Sequence, residues 1–107
     1  MKDKIRRIAN HSTFEKKSRQ LSVECAELIH VVNKYHCFRE SKTTRDEILA
    51  SINDSDMLIQ QIYKNIADVE IVIDEIKHQL NINPEAIEEI KRIKVDTEIE
   101  NIEQEGK

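Results

Sequence analysis

The strongest pattern in the chain is an apolar residue at every third or fourth position over two long segments. Between about residues 56 and 80 the alternation of three and four is strict, which is the periodicity of one helix face. A similar stripe runs between about residues 13 and 38. The pattern predicts two long helices, with stripes formed by Leu21, Cys25, Leu28, Val32 and Tyr35 and by Ile59, Ile62, Ile66, Val69, Ile73, Ile76 and Leu80.

Capping signals set the expected starts of the first three helices after the N-terminal segment. Residues 12–15 (Ser-Thr-Phe-Glu) and 44–47 (Thr-Arg-Asp-Glu) both have the spacing of a capping box, which predicts the start of the first long helix and of a short helix that ends at about Ile52. Residues 53–56 (Asn-Asp-Ser-Asp) are typical of a break followed by a new N-cap.

The two ends of the chain are more polar than its middle. Residues 1–11 are basic and weakly apolar, and we expect them to form either a short helix or a mobile arm. Asn83 followed by Pro84 is an N-cap with proline at the first helical position. It predicts a last, highly charged helix to about Glu103, within a C-terminal segment of residues 84–107.

Composition predicts a single all-α domain over residues 1–107, with a thin core. The chain has one Gly, one Pro, 4% aromatic residues and 36% charged residues. Few positions therefore interrupt a helix, and a single copy has little bulk to bury. We expect a helical bundle of two long core helices, a short helix and the charged C-terminal helix. Oligomerisation, as a homodimer or homotetramer, would complete its core.

Charge and cysteine content narrow the partners and the compartment. The formal net charge of -4 argues against a general nucleic-acid binder, which normally has a basic face. The sequence contains no signal peptide, transmembrane run or lipidation motif, so we expect a cytoplasmic protein without a membrane partner. Cys25 and Cys37 would lie about 18 Å apart along one helix, too far for a disulfide, and should be reduced thiols.

Two polar pairs accompany the apolar stripes at matching positions. Glu24 lies about 60° to one side of its stripe and Glu27 about 60° further round, and Asn65 and Asp68 have the same angles on the second helix. If the helices pack by their stripes, both pairs can line one groove. Carboxylates with an amide oxygen, and no His or Cys at ligand spacing, suit Mg²⁺ or Mn²⁺ better than zinc. The alternative is that these acidic residues belong to solvated faces.

The motifs around these pairs resemble the MazG-like all-alpha nucleoside triphosphate pyrophosphohydrolases, particularly their phage and Gram-positive bacterial branch. Residues 23–28 (Val-Glu-Cys-Ala-Glu-Leu) look like the first acidic element, and residues 65–71 (Asn-Ile-Ala-Asp-Val-Glu-Ile) look like the second. The resemblance implies Mg²⁺-dependent hydrolysis of a ribo- or deoxyribonucleoside triphosphate to monophosphate and pyrophosphate. Such an enzyme would clean or control nucleotide pools.

The resemblance also implies the site residues. Glu24, Glu27 and Asp68 would be catalytic and would bind the metal, with Asn65 as a neutral fourth ligand. One ion would activate a water, and another would hold the phosphate chain. Substrate would be contacted by four residues: Lys34, Arg39, Gln20 and Phe38.

Asn65 opens a second possibility, because the family has glutamate there. The amide keeps an oxygen but removes a negative charge, so one metal position should be weaker. The protein could then be a catalytically weakened or inactive member that acts as a nucleotide-binding or helical interaction protein. A third possibility is a plain coiled-coil adaptor that binds no metal.

Overall fold

The computed structural model describes residues 1–106, which contain five α-helices and no β-strand. The predicted all-α fold is confirmed. None of the five helices in this range is both long enough and apolar enough to cross a membrane. The helices are α1 (Lys2–Asn10), α2 (Phe14–Ser41), α3 (Arg45–Ala50), α4 (Ile52–Gln79) and α5 (Pro84–Glu105).

The cap of α2 lies one residue later than predicted. Thr13 is the N-cap, and its Oγ1 accepts a hydrogen bond from the Lys16 backbone N at 3.2 Å. Ser12 belongs instead to the turn that follows α1, because its backbone N donates to the Ala9 carbonyl at 3.2 Å. The capping box predicted for residues 12–15 was therefore wrong.

The predicted cap of α3 is confirmed, but the predicted break before the core helix was wrong. Thr44 Oγ1 accepts from the Glu47 backbone N at 3.2 Å, and Glu47 Oε2 accepts from the Thr43 backbone N at 3.1 Å. Helix α3 gives way to α4 at a turn formed by buried Ser51, whose hydroxyl donates to the Ile48 carbonyl at 3.0 Å. Residues 53–56 consequently lie within α4, where the carboxylate of Asp54 in the first turn suits the helix dipole.

The cap predicted for α5 is also confirmed. Asn83 Oδ1 accepts from the Glu85 backbone N at 3.0 Å, with Pro84 in the first turn. The preceding helix ends at a left-handed residue, Asn81, which has φ 53°. Asparagine tolerates this conformation better than most residues, and it lets the Ile82 backbone N reach the Lys77 carbonyl at 2.9 Å.

Helices α2 and α4 form an antiparallel hairpin, and its packing seam is rotated away from the predicted apolar stripes. Val31 and Val72 are buried, whereas Val32 and Ile66 of the predicted stripes are 45% and 39% exposed. The rotation places polar residues in the seam, which is formed by Lys17, Leu21, Glu24, Leu28, Val31, Tyr35 and Phe38 of α2 and by Ser55, Leu58, Ile62, Asn65, Val69, Val72, Ile76 and Gln79 of α4. Glu75 of α4 lies buried beside these positions.

This seam still alternates three and four residues, as in coiled coils. The rotation is the reason that the polar pairs do not simply flank the core as predicted. The first member of each pair, Glu24 and Asn65, occupies a seam position itself.

The single chain buries little apolar surface. Within residues 1–106 the buried apolar side chains are Ala9, Val31, Leu58, Val69 and Val72. Helix α1 packs on α4, and α3 touches α4, but the backbone of α5 does not approach that of any other described helix closely. Four of its five isoleucines, Ile90, Ile93, Ile99 and Ile102, are exposed, and Ile87 is half-buried.

Candidate metal site in the helical hairpin

Glu24 places a carboxylate inside the α2–α4 seam. Its side chain is half-buried, and Oε2 is fully buried without a hydrogen-bond partner. Burial raises the pKa of this carboxyl above its ordinary value, and the negative charges of Asp68 and then Glu27 raise it further. Lys64 opposes these effects. The ionised form of Glu24 is thus only partly compensated by positive charge, which is costly for a half-buried carboxylate.

Asp68 faces Glu24 from α4 and is held by a lysine that the sequence analysis missed. Lys64 Nζ lies 3.0 Å from Asp68 Oδ2. This hydrogen bond and the Asp68 charge raise the pKa of Lys64, with smaller contributions from Glu27 and Glu24. The single Lys64 ammonium therefore interacts electrostatically with three carboxylates, those of Asp68, Glu27 and Glu24. The spacing of four residues between Lys64 and Asp68 is a standard helical pairing and could have revealed the contact.

Glu27 lies at the open side of this cluster. It is exposed and lines a groove of about 480 Å³ whose walls include Lys34, Lys64 and Asn65. Asn65 Nδ2 donates to the Gln61 carbonyl at 2.8 Å, so Oδ1 is the atom of this amide that remains for a ligand. The structure thus brings Glu24, Glu27, Asn65 and Asp68 to one stretch of the hairpin.

The carboxylates are neighbours, but they do not form a preformed ligand shell. Among the described residues, no three His, Cys, Asp or Glu side chains converge tightly enough to hold a metal ion. The chemistry nevertheless fits a hard cation, because the oxygen-only donor set includes the buried, unpartnered Glu24 Oε2. A bound cation would compensate this atom.

The predicted substrate residues fall into three places. Lys34 lines the groove beside Glu27. Phe38 and Arg39 line a separate cavity of about 400 Å³ at the junction of α2, α3 and α4. Lys34 and Phe38 also share a smaller cavity of about 290 Å³ between these two. Gln20 is held elsewhere, because its Oε1 accepts a hydrogen bond from Lys17 Nζ at 3.0 Å.

Aromatic side chains form part of the 400 Å³ cavity. Tyr35, predicted as a core residue, is half-buried and also lines it. The Arg39 guanidinium lies 6.0 Å from the centre of the Tyr35 ring, and Lys42 Nζ lies 5.4 Å from the centre of the Phe38 ring. The cavity therefore combines two aromatic rings and two cations with one carboxylate, that of Asp56. This composition suits a flat ligand, and the cations exceed the carboxylate by one charge.

A second charged layer lies one heptad away from the Glu24–Asp68 layer. Lys17 on α2 and Glu75 on α4 form an ion pair through Nζ and Oε2, and their side chains are only 9% and 3% exposed. Beside it, Gln79 Nε2 donates to the Ala9 and Ser12 carbonyls at 3.1 and 3.3 Å. These contacts tie α1 and the start of α2 to the end of α4.

Comparison with known protein families, curated proteins and solved structures finds no match to this chain. The resemblance to the MazG-like pyrophosphohydrolases therefore stays a prediction carried by the two acidic motifs.

Proposed function

We propose that the protein is a Mg²⁺-dependent nucleoside triphosphate pyrophosphohydrolase of the MazG-like type. It would hydrolyse ribo- or deoxyribonucleoside triphosphates to monophosphates and pyrophosphate, in nucleotide-pool cleaning or control in the cytoplasm. The observation that best supports the proposal is the buried, unpartnered Oε2 of Glu24 beside Asp68 and Glu27. A divalent cation bound by oxygen ligands would compensate the excess negative charge of these three carboxylates.

The proposal assigns a role to each residue of the site. Glu24, Glu27 and Asp68 would hold Mg²⁺, or Mn²⁺ in its place, and Asn65 would add its amide oxygen. The cation would neutralise phosphate charge and acidify a bound water. Lys34 would bind phosphate oxygens from the wall of the groove.

The neighbouring cavity offers a place for the rest of the nucleotide. A base could stack on Phe38 or Tyr35, with Arg39 at the rim, because Lys34 and Phe38 share the connecting cavity. Base stacking on aromatic rings tolerates every base, so the stacking itself selects none.

Oligomerisation belongs to the same proposal. The parts of the predicted stripes that the α2–α4 seam leaves exposed, including Val32, Ile66 and Ile73, form apolar surface on the hairpin. The exposed isoleucines of α5 add to it. A homodimer or homotetramer would bury these surfaces, which a chain with so few buried apolar residues needs for stability.

A second candidate function is nucleotide binding or helical interaction without turnover. It is favoured by two residues of the cluster, because Asn65 is uncharged and Lys64 neutralises part of the charge on Asp68. Both reduce the attraction of the cluster for a cation.

The test is hydrolysis of a panel of ribo- and deoxyribonucleoside triphosphates with Mg²⁺, followed by the release of monophosphate and pyrophosphate. Glu24→Gln should abolish release, and Asn65→Glu should increase it. Glu70→Gln is the matched control, since Glu70 is an exposed glutamate on the same helix as Asp68. If Asn65→Glu releases product and the natural chain does not, the natural chain is an inactive member that binds nucleotides. No release by the natural chain or by Asn65→Glu would refute the proposed pyrophosphohydrolase activity.

A further inference from the structure

Lys64 brings a positive charge into the place where the proposed cation would bind. Its Nζ lies 3.0 Å from Asp68 Oδ2, and its side chain lines the groove together with Glu27 and Asn65. The ammonium therefore uses an Asp68 oxygen that a metal ion would need. A protonated lysine has three donors and no lone pair, so it can compete with a cation for this carboxylate but cannot serve as a ligand.

The charge of the cluster makes this competition effective. Glu24, Glu27 and Asp68 supply the negative charge, and Lys64 neutralises part of it. The net charge of the four side chains is still negative, so the cluster attracts a divalent cation. The attraction is weaker than it would be without Lys64. Because the Lys64 side chain is 71% exposed, it can leave Asp68 for water at little cost.

We propose that Lys64 is an internal competitor of the divalent cation: its ammonium holds Asp68 in the metal-free protein and lowers the affinity of the carboxylate cluster for the ion. The inference rests on the proposed metal site and adds a residue that sets its affinity. Metal binding would then require the Lys64 ammonium to leave Asp68 for solvent.

The experiment is a titration of the protein with Mn²⁺ alone, with free Mn²⁺ measured by electron paramagnetic resonance. Lys64→Gln removes the charge and keeps a good helix former on an exposed position. It should bind Mn²⁺ roughly tenfold more tightly, the scale expected when one like charge is removed near an ion in a well-solvated site. Lys64→Arg keeps the charge and should bind within about twofold of the natural chain.

Lys77→Gln is the matched control for overall charge. Lys77 lies on the same helix, about 20 Å from Lys64 by the helical rise, next to Asp74 at 3.9 Å. It should leave Mn²⁺ affinity unchanged. A gain in Lys77→Gln equal to that of Lys64→Gln would assign the effect to net charge and overturn the inference.

The remaining outcomes separate the inference from the proposed function. Equal Mn²⁺ affinity in the natural chain and in Lys64→Gln would overturn the competitor role and leave the metal site in place. No Mn²⁺ binding by any of these proteins, with helical circular dichroism intact, would overturn the metal site and the inference together. Loss of the Lys64→Gln gain on adding Glu24→Gln would support both.

Discussion

Two charged layers of the same hairpin, one heptad apart, have similar backbone positions and opposite characters. In the Lys17–Glu75 layer a cation on α2 meets an anion on α4, and both side chains are buried. In the Glu24–Asp68 layer two anions face each other, and one carboxylate oxygen is buried without a partner. In the first layer the two charges are paired within the chain, although the neutral Gln79 Oε1 beside them is buried without a hydrogen-bond partner. In the second layer the negative charges exceed the positive charge that Lys64 supplies.

The difference distinguishes polar residues that hold the two helices in register from polar residues that are available to a ligand. A buried ion pair sets the register of a hairpin but presents nothing to a ligand. The Glu24–Asp68 layer instead lies next to Glu27, Lys64 and Asn65, which line an open groove, and Lys64 compensates only part of its negative charge. A binding site is indicated by uncompensated charge next to accessible space. The number of charged residues alone does not indicate one.

The largest expected effect comes from breaking the Lys17–Glu75 layer, which we call the closed layer because its two charges pair with each other. Glu75→Leu leaves Lys17 buried without its partner and should lower the free energy of unfolding by about 3 to 5 kcal/mol. Urea unfolding at a fixed protein concentration measures this loss. The double variant Lys17→Leu with Glu75→Leu should recover most of it, because no uncompensated charge remains. A loss below about 1 kcal/mol in the single variant would show that water already reaches the Lys17–Glu75 pair.

The Glu24–Asp68 layer, which we call the open layer, should respond differently to loss of its buried glutamate. Activity should fall, and stability should rise instead of falling. Glu24→Gln should lower triphosphate hydrolysis by about 100-fold or more, because a metal ligand is lost. It should also raise the melting temperature measured without metal, because the uncompensated carboxylate is gone. A variant that melts lower and keeps its activity would contradict the metal role of Glu24.

A smaller effect is expected where the closed layer meets α1. Gln79→Leu removes the hydrogen bonds to the Ala9 and Ser12 carbonyls and should cost about 1 kcal/mol. Amide hydrogen exchange should then speed up in α1, while Mn²⁺ affinity at the open layer stays the same. Unchanged exchange in α1 would mean that its apolar contacts with α4 hold it without Gln79.

The smallest expected effect is a pH dependence that belongs to the open layer alone. The pKa of Glu24 is raised in the folded chain above its ordinary value of 4.5, so the folded state binds the proton more tightly than the unfolded state. Stability should therefore fall as pH rises from that ordinary value through the folded pKa.

Melting temperatures across this pH range, without metal, measure the effect. The natural chain should lose more stability towards neutral pH than Glu24→Gln, and saturating Mg²⁺ should remove the difference. Parallel curves for the two proteins would mean that the Glu24 carboxyl is compensated in both states.

The sequence predicted the helices better than their exact ends. The Thr44 and Asn83 caps are confirmed because capping depends on neighbouring residues. The cap placed at residue 12 and the break placed at residues 53–56 were wrong, because contacts of Ser12 with Ala9 and of Ser51 with Ile48 end the preceding helices there.

The candidate site was predicted in part. From the matching helical angles of the two polar pairs, the sequence predicted that Glu24, Glu27, Asn65 and Asp68 can line one groove. The four residues lie on one stretch of the hairpin, and Glu27 and Asn65 line the groove there. The sequence prediction did not place Lys64 in the cluster, although a spacing of four from Asp68 was available. The family resemblance also grouped Gln20 with the substrate residues, and in the structure Gln20 accepts a hydrogen bond from Lys17.

The sequence by itself determined which segments are helical and which polar residues recur in phase, because both depend on interactions within a few residues along the chain. Only the tertiary structure decided how far α2 and α4 rotate about their own axes. That rotation depends on how side chains from both helices interlock, and it carries Glu24 and Asn65 from the edge of the stripe into the seam. The same packing pairs Lys17 with Glu75 and leaves Glu24 without a partner, which is the physical origin of the proposed metal site.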